Sequence, residues 1–459
     1  MKVIICGAGQ VGYGIAERLS QDNNDVTVID KSPELIQRVN DMLDVRGVVG
    51  HGSHPDVLAE AGAEDASMII AVTLHDEVNM VACQIAHDLF QIETKIARVR
   101  AQSYLSPAWG GLFSRSRLPI DVVISPEVEV GEMVLRRLSQ PGAFETIAFG
   151  EGRVSLVGVS CTEDCPIVNT PLNQLSDLFP DLDAVIVAVL RNGSLFVPHV
   201  DDQLAVGDDV YLVTDTSHAP RTLKIFGHEE QAAQRVIIAG GGNIGLYVAQ
   251  AIEFRQPNVR VKVIERDHDR AVSIAEQLNR TVVLNGDTLS EELLREAGAG
   301  QADAILALTN DEQANILSCV LARQIGCPTS MCLYNSRGYA KVIRSLGIDA
   351  HVNPRSTTVS RVLQHVRRGR IKAVHSIQNG AAEVIEGVAL ATSAIVGRPL
   401  RSIDLPESVR IGAILRNDTY IMPKGETVIE AGDRIVVFAL ADHVRTIENF
   451  FRVNVEFID

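Results

Sequence analysis

The sequence predicts an α/β protein: two doubly wound parallel-sheet Rossmann modules, each followed by a small β-rich α+β module. Three observations predict it. A strand, a GxGxxG turn, a helix, a second strand and a terminal acid occur in that order over residues 2–30. The same constellation returns over residues 235–265. After each, alternating strands and helices give way to a β-rich pattern rich in turn signals.

Lys2–Cys6 reads as a short buried strand, and Gly7, Gly9 and Gly12 supply the glycines, with Ala8, Gln10 and Val11 between them. Val11 to Leu19 has the apolar spacing of a helix. In a dinucleotide-binding turn one glycine allows the tight bend, one lets backbone N–H groups approach a pyrophosphate, and one packs helix on strand. The helix N-terminus then presents unpaired N–H groups to the phosphates. The strand Asp25–Ile29 ends at Asp30, placed to bind ribose hydroxyls and to repel a 2′-phosphate. That reading selects NAD(H) over its phosphorylated form. A glycine-rich turn in another α/β fold would explain the glycines but not the order of the parts.

The first module continues through strands at Gly47–Gly50, Met68–Thr73, Lys95–Val99 and Asp121–Ile124. Ligands of such sheets sit beyond the carboxyl ends of the strands. That rule gathers the glycine turn, Asp30, His51, Gly52, Ser53, Thr73, Leu74 and Arg98 on one rim. Taken singly, His51 and Thr73 read as turn or helix caps. Arg98 at a buried strand's end calls for an anion, either a pyrophosphate or a neighbouring carboxylate.

Pro126–Ser139 follows as one amphipathic helix whose apolar stripe must cover its own sheet or another copy of the protein. From Phe144 the strands are Thr146–Phe149, Val154–Val159, Ala184–Arg191, Ser194–Val197 and Asp209–Thr214. Asn192-Gly193 marks a hairpin. His199 and His218 are lone histidines read as structural or exposed, and no nucleophile with its base stands out.

His228–Gln234 is the polar link to the second half, where Gly240, Gly241, Gly242, Asn243, Ile244 and Gly245 repeat the turn and Glu265 repeats the acid. Asp287 answers to Ser53, and Thr309-Asn310 to Thr73-Leu74. The expected boundaries are 1–125, a crossover helix 126–139, 143–227, 232–353, a crossover helix 354–369, and 372–459. Leu333 stands where the first half has Arg98, so the two sites are expected to differ in their nucleotide preference.

Composition narrows the function. Among 459 residues, 46% hydrophobic and 4% aromatic content is that of an ordinary soluble α/β protein. No apolar run approaches the roughly 18 residues of a membrane span, and the N-terminus does not read as a signal peptide. A net charge of −16 argues against nucleic acid and anionic lipid as partners. The basic run His365–Lys372 reads as a helix end. Seven scattered cysteines fit a reducing cytoplasm, and Cys161 and Cys165, with no second pair, read as a loop accident rather than a zinc site.

At these residues the chain resembles the family of regulators of potassium conductance, the RCK or KTN–TrkA-C fold. The sharpest segments are KVIICGAGQVG, Val49–Pro55, Glu77–Cys83, Ile96–Arg100 and Val122–Pro126, and Asn79 recurs as Asn315 on the helix after strand four. Two tandem copies without membrane helices are similar to the cytoplasmic subunits of bacterial Trk potassium uptake systems. The resemblance implies nucleotide binding at both Rossmann modules, NAD(H) with ATP or ADP as further ligands. It also implies a homo-oligomer, a dimer or tetramer forming a gating ring. That ring would lie peripherally on the cytoplasmic face of the inner membrane, on a potassium-translocating partner. A regulator performs no chemistry. The alternative class, an NAD-dependent oxidoreductase, needs a proton donor near the nicotinamide. No His/Asp pair supplies one, and Tyr339 and Lys341 are two positions apart rather than four.

Overall fold

The structure is a computed structural model that describes residues 1–21, 23–140, 142–179, 182–228, 232–336, 338–366 and 371–451. It forms two compact units, Met1–Gly131 with Asn353–Val366, and Glu132–Val352 with Arg367–Asp459. The division falls within the first crossover helix, not at the midpoint of the repeat.

The first unit is built on a six-stranded sheet, all parallel. Its elements are β1 (Lys2–Cys6), α1 (Gln10–Gln21), β2 (Asp25–Asp30), α2 (Pro33–Met42), β3 (Arg46–Val49), α3 (Pro55–Glu60), β4 (Met68–Ala71), α4 (Asp76–Asp88), β5 (Thr94–Arg98) and β6 (Val122–Ile124). The order β3-β2-β1-β4-β5-β6 reverses direction between β1 and β4, which opens a crevice above their carboxyl ends. The central strands β1 and β4 are apolar at every position but Lys2 because helices cover both faces. Ser32 caps α2 by accepting from the Leu35 N–H at 3.3 Å, with Pro33 at the first helical position. The sheet ladder of β4 stops at Ala71, two residues before the expected end at Thr73. The Asn79 side chain takes the Thr73 N–H and C=O out of the ladder.

The helix α5 (Pro126–Ser139) forms over the span expected for it. Its first turn stays in the first unit, where Glu129 pairs with Arg361 at 3.1 Å. Arg361 belongs to the second crossover helix, Pro354–Val366, and Val362, Leu363 and Val366 of that helix complete the core around Ile15 and Leu19 of α1. Arg355 lies 6.0 Å from the Tyr13 ring centroid. The first Rossmann core is thus closed by a helix from the far end of the chain.

The second unit takes α5 from Glu132 onward. It continues with β7 (Ala143–Phe149), β8 (Val154–Ser160), α6 (Leu175–Leu178), β9 (Ala184–Arg191), β10 (Ser194–Phe196), β11 (Asp209–Asp215) and α7 (Ala219–Ile225). The sheet order is β10-β9-β11-β8-β7, antiparallel throughout. Asn192 (φ 52°) and Gly193 (φ 81°) make the expected hairpin turn, both in the left-handed region.

A second parallel sheet follows, built from β12 (Arg235–Ala239), α8 (Asn243–Arg255), β13 (Arg260–Glu265), α9 (His268–Gln277), β14 (Val282–Asn285), α10 (Glu291–Glu296), β15 (Ala304–Ala307), α11 (Glu312–Ile325), β16 (Thr329–Leu333), α12 (Tyr339–Ser345) and β17 (Ala350–Val352). Its order, β14-β13-β12-β15-β16-β17, repeats the first sheet. From Glu132 onward α5 also reaches this second module. Glu132 accepts from the Tyr247 hydroxyl at 2.5 Å and from Arg255 at 2.7 Å, both on α8 of this second module. The two donors lie about two turns apart on one face of α8 and match one carboxylate.

After α13 (Pro354–Val366), the chain forms β18 (Ile371–Ile377), β19 (Ala382–Val388), β20 (Val409–Arg416), β21 (Thr419–Ile421), β22 (Arg434–Leu440) and α14 (Val444–Phe450). The two small sheets share one core, in which Tyr211 and Val213 meet Val436 and Phe438. Glu386, buried between them, accepts from the Gly150 N–H at 2.9 Å and from Arg434 at 2.7 Å. Within the link at 228–234, within the basic run at 365–372, at the end of the expected crossover helix 354–369 and at the end of the last small module, parts of the expected segments lie outside the described residues. Among the described residues no helix is long and apolar enough to cross a membrane.

Candidate functional site

The first crevice is organised by a backbone turn that only glycine permits. Gly7 has φ +110°, and a Cβ there would lie 3.1 Å from the Val72 carbonyl and the Thr73 nitrogen. A Cβ on Gly12 would lie 1.8 Å from the Gly7 oxygen, so α1 can approach the turn only without a side chain. Gly9 faces open space. The three expected roles thus fall on three different glycines: bend, open approach and helix packing.

Asp30 secures the turn. Its Oδ2 accepts from the Ala8 N–H at 2.7 Å, and its Oδ1 accepts from the Ser32 N–H at 2.9 Å. Each oxygen can accept a further bond, and Asp30 lines the crevice. The cavity has a volume of about 440 Å³, and Gly7, Gly9, Gln10, Val11, Asp30, His51, Gly52, Thr73, Leu74 and Arg98 all line it. Ala8 and Gly12 are buried behind the wall. Leu35, at the start of α2, also lines it and was not anticipated. Its apolar spacing in α2 reads only as core, so no sequence signal marks it.

Arg98 and Thr73 are held by one residue. The Asn79 oxygen accepts from the Thr73 N–H at 2.9 Å and hydroxyl at 2.7 Å. Its amide nitrogen donates to the Thr73 carbonyl at 3.2 Å and to the Arg98 carbonyl at 2.9 Å. Asn79 is fully buried, so it ties the ends of β4 and β5 together without reaching the crevice. The recurrence of this asparagine was visible in the sequence; its role was not. The Arg98 guanidinium makes no ion pair or hydrogen bond among the described residues, and its buried Nε is unsatisfied. Burial, then the neighbouring Arg100, lowers its pKa, against the opposite pull of Glu127 and Asp76. Of the two partners considered for it, a neighbouring carboxylate is not in contact. Thr73 behaves as the turn cap it resembled, accepting from the His75 N–H at 3.3 Å, and His51 Nδ1 lies 2.9 Å from Ser53 Oγ.

The second crevice repeats this frame with different walls. Gly240 has φ +106°, a Cβ on Gly245 would lie 2.0 Å from the Gly240 oxygen, and Gly242 faces open space. Glu265 accepts from the Gly241 N–H at 2.7 Å and from the Asp267 N–H at 2.8 Å. Glycine stands where the first loop has alanine, and a Cβ on Gly241 would lie 2.4 Å from Ile274 Cδ1 and 3.2 Å from Glu265 Cβ and Oε2. Asn315 holds Thr309 and the Leu333 carbonyl as Asn79 holds Thr73 and Arg98. Asp287 caps a turn by accepting from the Leu289 N–H at 2.9 Å, and Asn243 and Asn310 are exposed at the rim, with Ile244 half-buried behind them. Two cation positions differ. Leu333 is buried and uncharged, whereas Arg270 donates to the Gly241 carbonyl at 3.0 Å from the position held by Leu35 in the first module. Among the described residues no His, Cys, Asp and Glu cluster could hold a metal.

Residues 3–126 and 236–354 match the TrkA-N domain, and residues 156–227 and 385–452 match the TrkA-C domain. A Trk system potassium uptake protein TrkA from Azorhizobium caulinodans is 60% identical over 100% of both chains. Among solved structures, the GsuK RCK domain superposes with a TM-score of 0.60 at 19% identity, covering 98% of this chain and 94% of that one. The GsuK channel bound to NAD superposes with a TM-score of 0.59 at 19% identity, covering 98% and 78%.

Proposed function

The chain belongs to the TrkA family of tandem TrkA-N and TrkA-C domains, and from that membership we propose a regulatory subunit of a potassium uptake system that binds nucleotides and performs no chemistry. Its ligand is NAD(H), with ATP and ADP as further occupants of the same frame. The observation that carries this reading is the first crevice: open Gly9 at the helix N-terminus, Asp30 at the ribose position and an unpartnered Arg98 on the same cavity. The glycine turn and helix N-terminus suit a pyrophosphate. Asp30 suits a ribose diol, and Arg98 suits a phosphate oxygen. A channel of the same fold has been seen with NAD bound, which supports the ligand class. The first site takes Gly7, Ala8, Gly9, Gln10, Val11, Gly12, Asp30, Thr73 and Arg98, and the second takes the corresponding residues from Gly240 to Asn310.

The partner is a membrane potassium-translocating protein, met from the cytoplasmic face by a homo-oligomeric ring. A ligand shifts such an assembly only by its differential affinity for two states. Moving it from mostly closed to mostly open takes about 5.5 kcal/mol in total, and several sites contributing 1–2 kcal/mol each would supply it. The test is a strain that depends on this system for growth at low potassium and from which the protein is deleted. Wild type should restore growth and nucleotide-responsive uptake; the double variant Gly9→Ala/Gly242→Ala should restore neither the response nor full growth. Nucleotide-responsive uptake by the double variant would overturn the gating reading. Unimpaired growth of the deletion would overturn the assignment.

A further inference from the structure

The connection between β5 and β6 is longer than its counterpart in the second half. Residues 99–121, 23 in all, join those strands, against 16 between β16 and β17, where α12 lies. Its composition is unlike that of the rest of the chain. Residues 101–120 hold no Asp, Glu or Lys in a chain of 58 acids, yet they hold Arg115, Arg117 and Trp109, the single tryptophan. Tyr104, Phe113 and Leu118 pack against the core that contains Ile92 and Ile120, which fixes the base of the loop. Backbone turns shape the tip. The Trp109 N–H donates to the Ser106 carbonyl at 2.9 Å, and the Leu112 N–H to the Trp109 carbonyl at 2.8 Å.

Trp109 is 62% exposed, although tryptophan is highly buried on average. It lines a cleft of about 350 Å³ with Ser103, Tyr104, Leu112 and Arg117. The Arg117 side chain runs beside the tip: a Cβ on Gly111 would lie 3.5 Å from Arg117 Nη1. Among the described residues Arg117 makes no ion pair. Arg115 is exposed, and Asp121, 4.0 Å from it, is already balanced by the buried Lys95 at 2.8 Å. An indole has an apolar body and one N–H donor, and it settles at the headgroup level of a bilayer. A guanidinium pairs with phosphate oxygens. Both groups on one small cleft match a phosphodiester at the edge of an apolar layer.

We propose that the loop of residues 101–120 is a lipid contact, in which Arg115 and Arg117 bind the phosphates of anionic phospholipids and Trp109 enters the interface beside them. The inference rests on the reading that the chain works at the cytoplasmic face of a membrane, where the leaflet is anionic. The net charge of −16 sets the field of the whole chain at long range. Contact is decided within the Debye length, about 8 Å at physiological ionic strength, and residues 101–120 bring only positive charge to it. The cytoplasmic loops of membrane proteins are enriched in Lys and Arg. Such a loop would meet these two arginines with like charge, so the lipid headgroup is the better match.

The experiment uses the full-length protein, whose single tryptophan makes its emission a report on this loop alone. It is mixed at physiological salt with vesicles of pure phosphatidylcholine, or of three parts phosphatidylcholine to one part phosphatidylglycerol. The expected result is flotation with the phosphatidylglycerol vesicles, a blue shift of the Trp109 emission and weaker quenching by acrylamide, none of them with phosphatidylcholine alone. The double variant Arg115→Glu/Arg117→Glu should float about tenfold less or worse, and Trp109→Ala should also float less, with NADH affinity at the first crevice unchanged in both. Flotation with unchanged emission would put the contact on another surface and overturn the proposal. Absence of flotation with the anionic vesicles would overturn it too. So would flotation confined to vesicles that carry the potassium-translocating protein, which would make a protein segment the occupant. None of these outcomes touches the subunit assignment, which growth of the deletion strain tests separately. The wild-type spectra decide even where a variant fails to fold.

Discussion

The Asp30 carboxylate holds the Ala8 amide at 2.7 Å, so the acid that would receive the ribose is also the anchor of the glycine turn. Asp30→Ala therefore removes a ligand contact and a structural bond together. NADH affinity at the first site should fall ten- to hundredfold, from the loss of roughly 1.5–3 kcal/mol. The urea midpoint should also fall, by a stability loss of about 1 kcal/mol. Calorimetry and urea unfolding separate the two effects. Unchanged affinity would show that Asp30 only anchors the turn.

The glycines of one turn should fail in different ways. Gly12→Ala places a methyl group 1.8 Å from a backbone oxygen, so α1 must shift from the turn. Such overpacking costs about 1–3 kcal/mol or more. Gly9→Ala meets nothing within 4 Å, so thermal stability should hold while nucleotide binding at that site is lost. Equal destabilisation by both changes would contradict the assignment of the open space at Gly9 to the ligand.

Both crevices could be read from the sequence because each part obeys a local rule. Glycine spacing, a strand ending in an acid and helix periodicity all act within about 30 residues. The hairpin at Asn192-Gly193 was legible for the same reason, and its counterpart on Asn417 (φ 49°) and Asp418 (φ 60°) through the repeat of the Leu-Arg-Asn segment. The contact of α5 with α8 was not legible. Glu132, Tyr247 and Arg255 meet across more than a hundred residues, and nothing in their local spacing relates them. Leu35 shows the same limit, since a helix's inward face reads as core whether it meets a sheet or a crevice.

Glu253, at the end of α8, predicts a pH dependence. Burial alone would push its carboxyl up, but the N–H groups of Asn279, Arg280 and Thr281 and the Thr281 hydroxyl hold it at about 2. The folded pKa is depressed, so the contribution is full above the ordinary glutamate range and is lost as pH falls toward 2. Given its partial exposure, the contribution at neutral pH should be about 1–2 kcal/mol after solvent screening. Glu253→Gln should lower the urea midpoint at pH 7 and make little difference at pH 2.5. An equal loss at both pH values would mean that packing, not charge, carries the effect.

Arg98 offers a test in which stability and affinity should part. Its guanidinium is half-buried, its Nε is unsatisfied, and burial is the largest influence on its pKa. A charge held that way costs free energy unless an anion pairs with it. Arg98→Leu copies the second module, where Leu333 fills the same strand end. The variant should bind nucleotide at the first site ten- to hundredfold more weakly, for the loss of a charge-assisted bond of roughly 1.5–3 kcal/mol. Its urea midpoint without ligand should hold or rise. An arginine serving a structural ion pair would behave oppositely, losing stability with little change in affinity. Measuring both quantities on one variant therefore distinguishes the roles: a fall in the ligand-free midpoint with unchanged nucleotide affinity would remove Arg98 from the site.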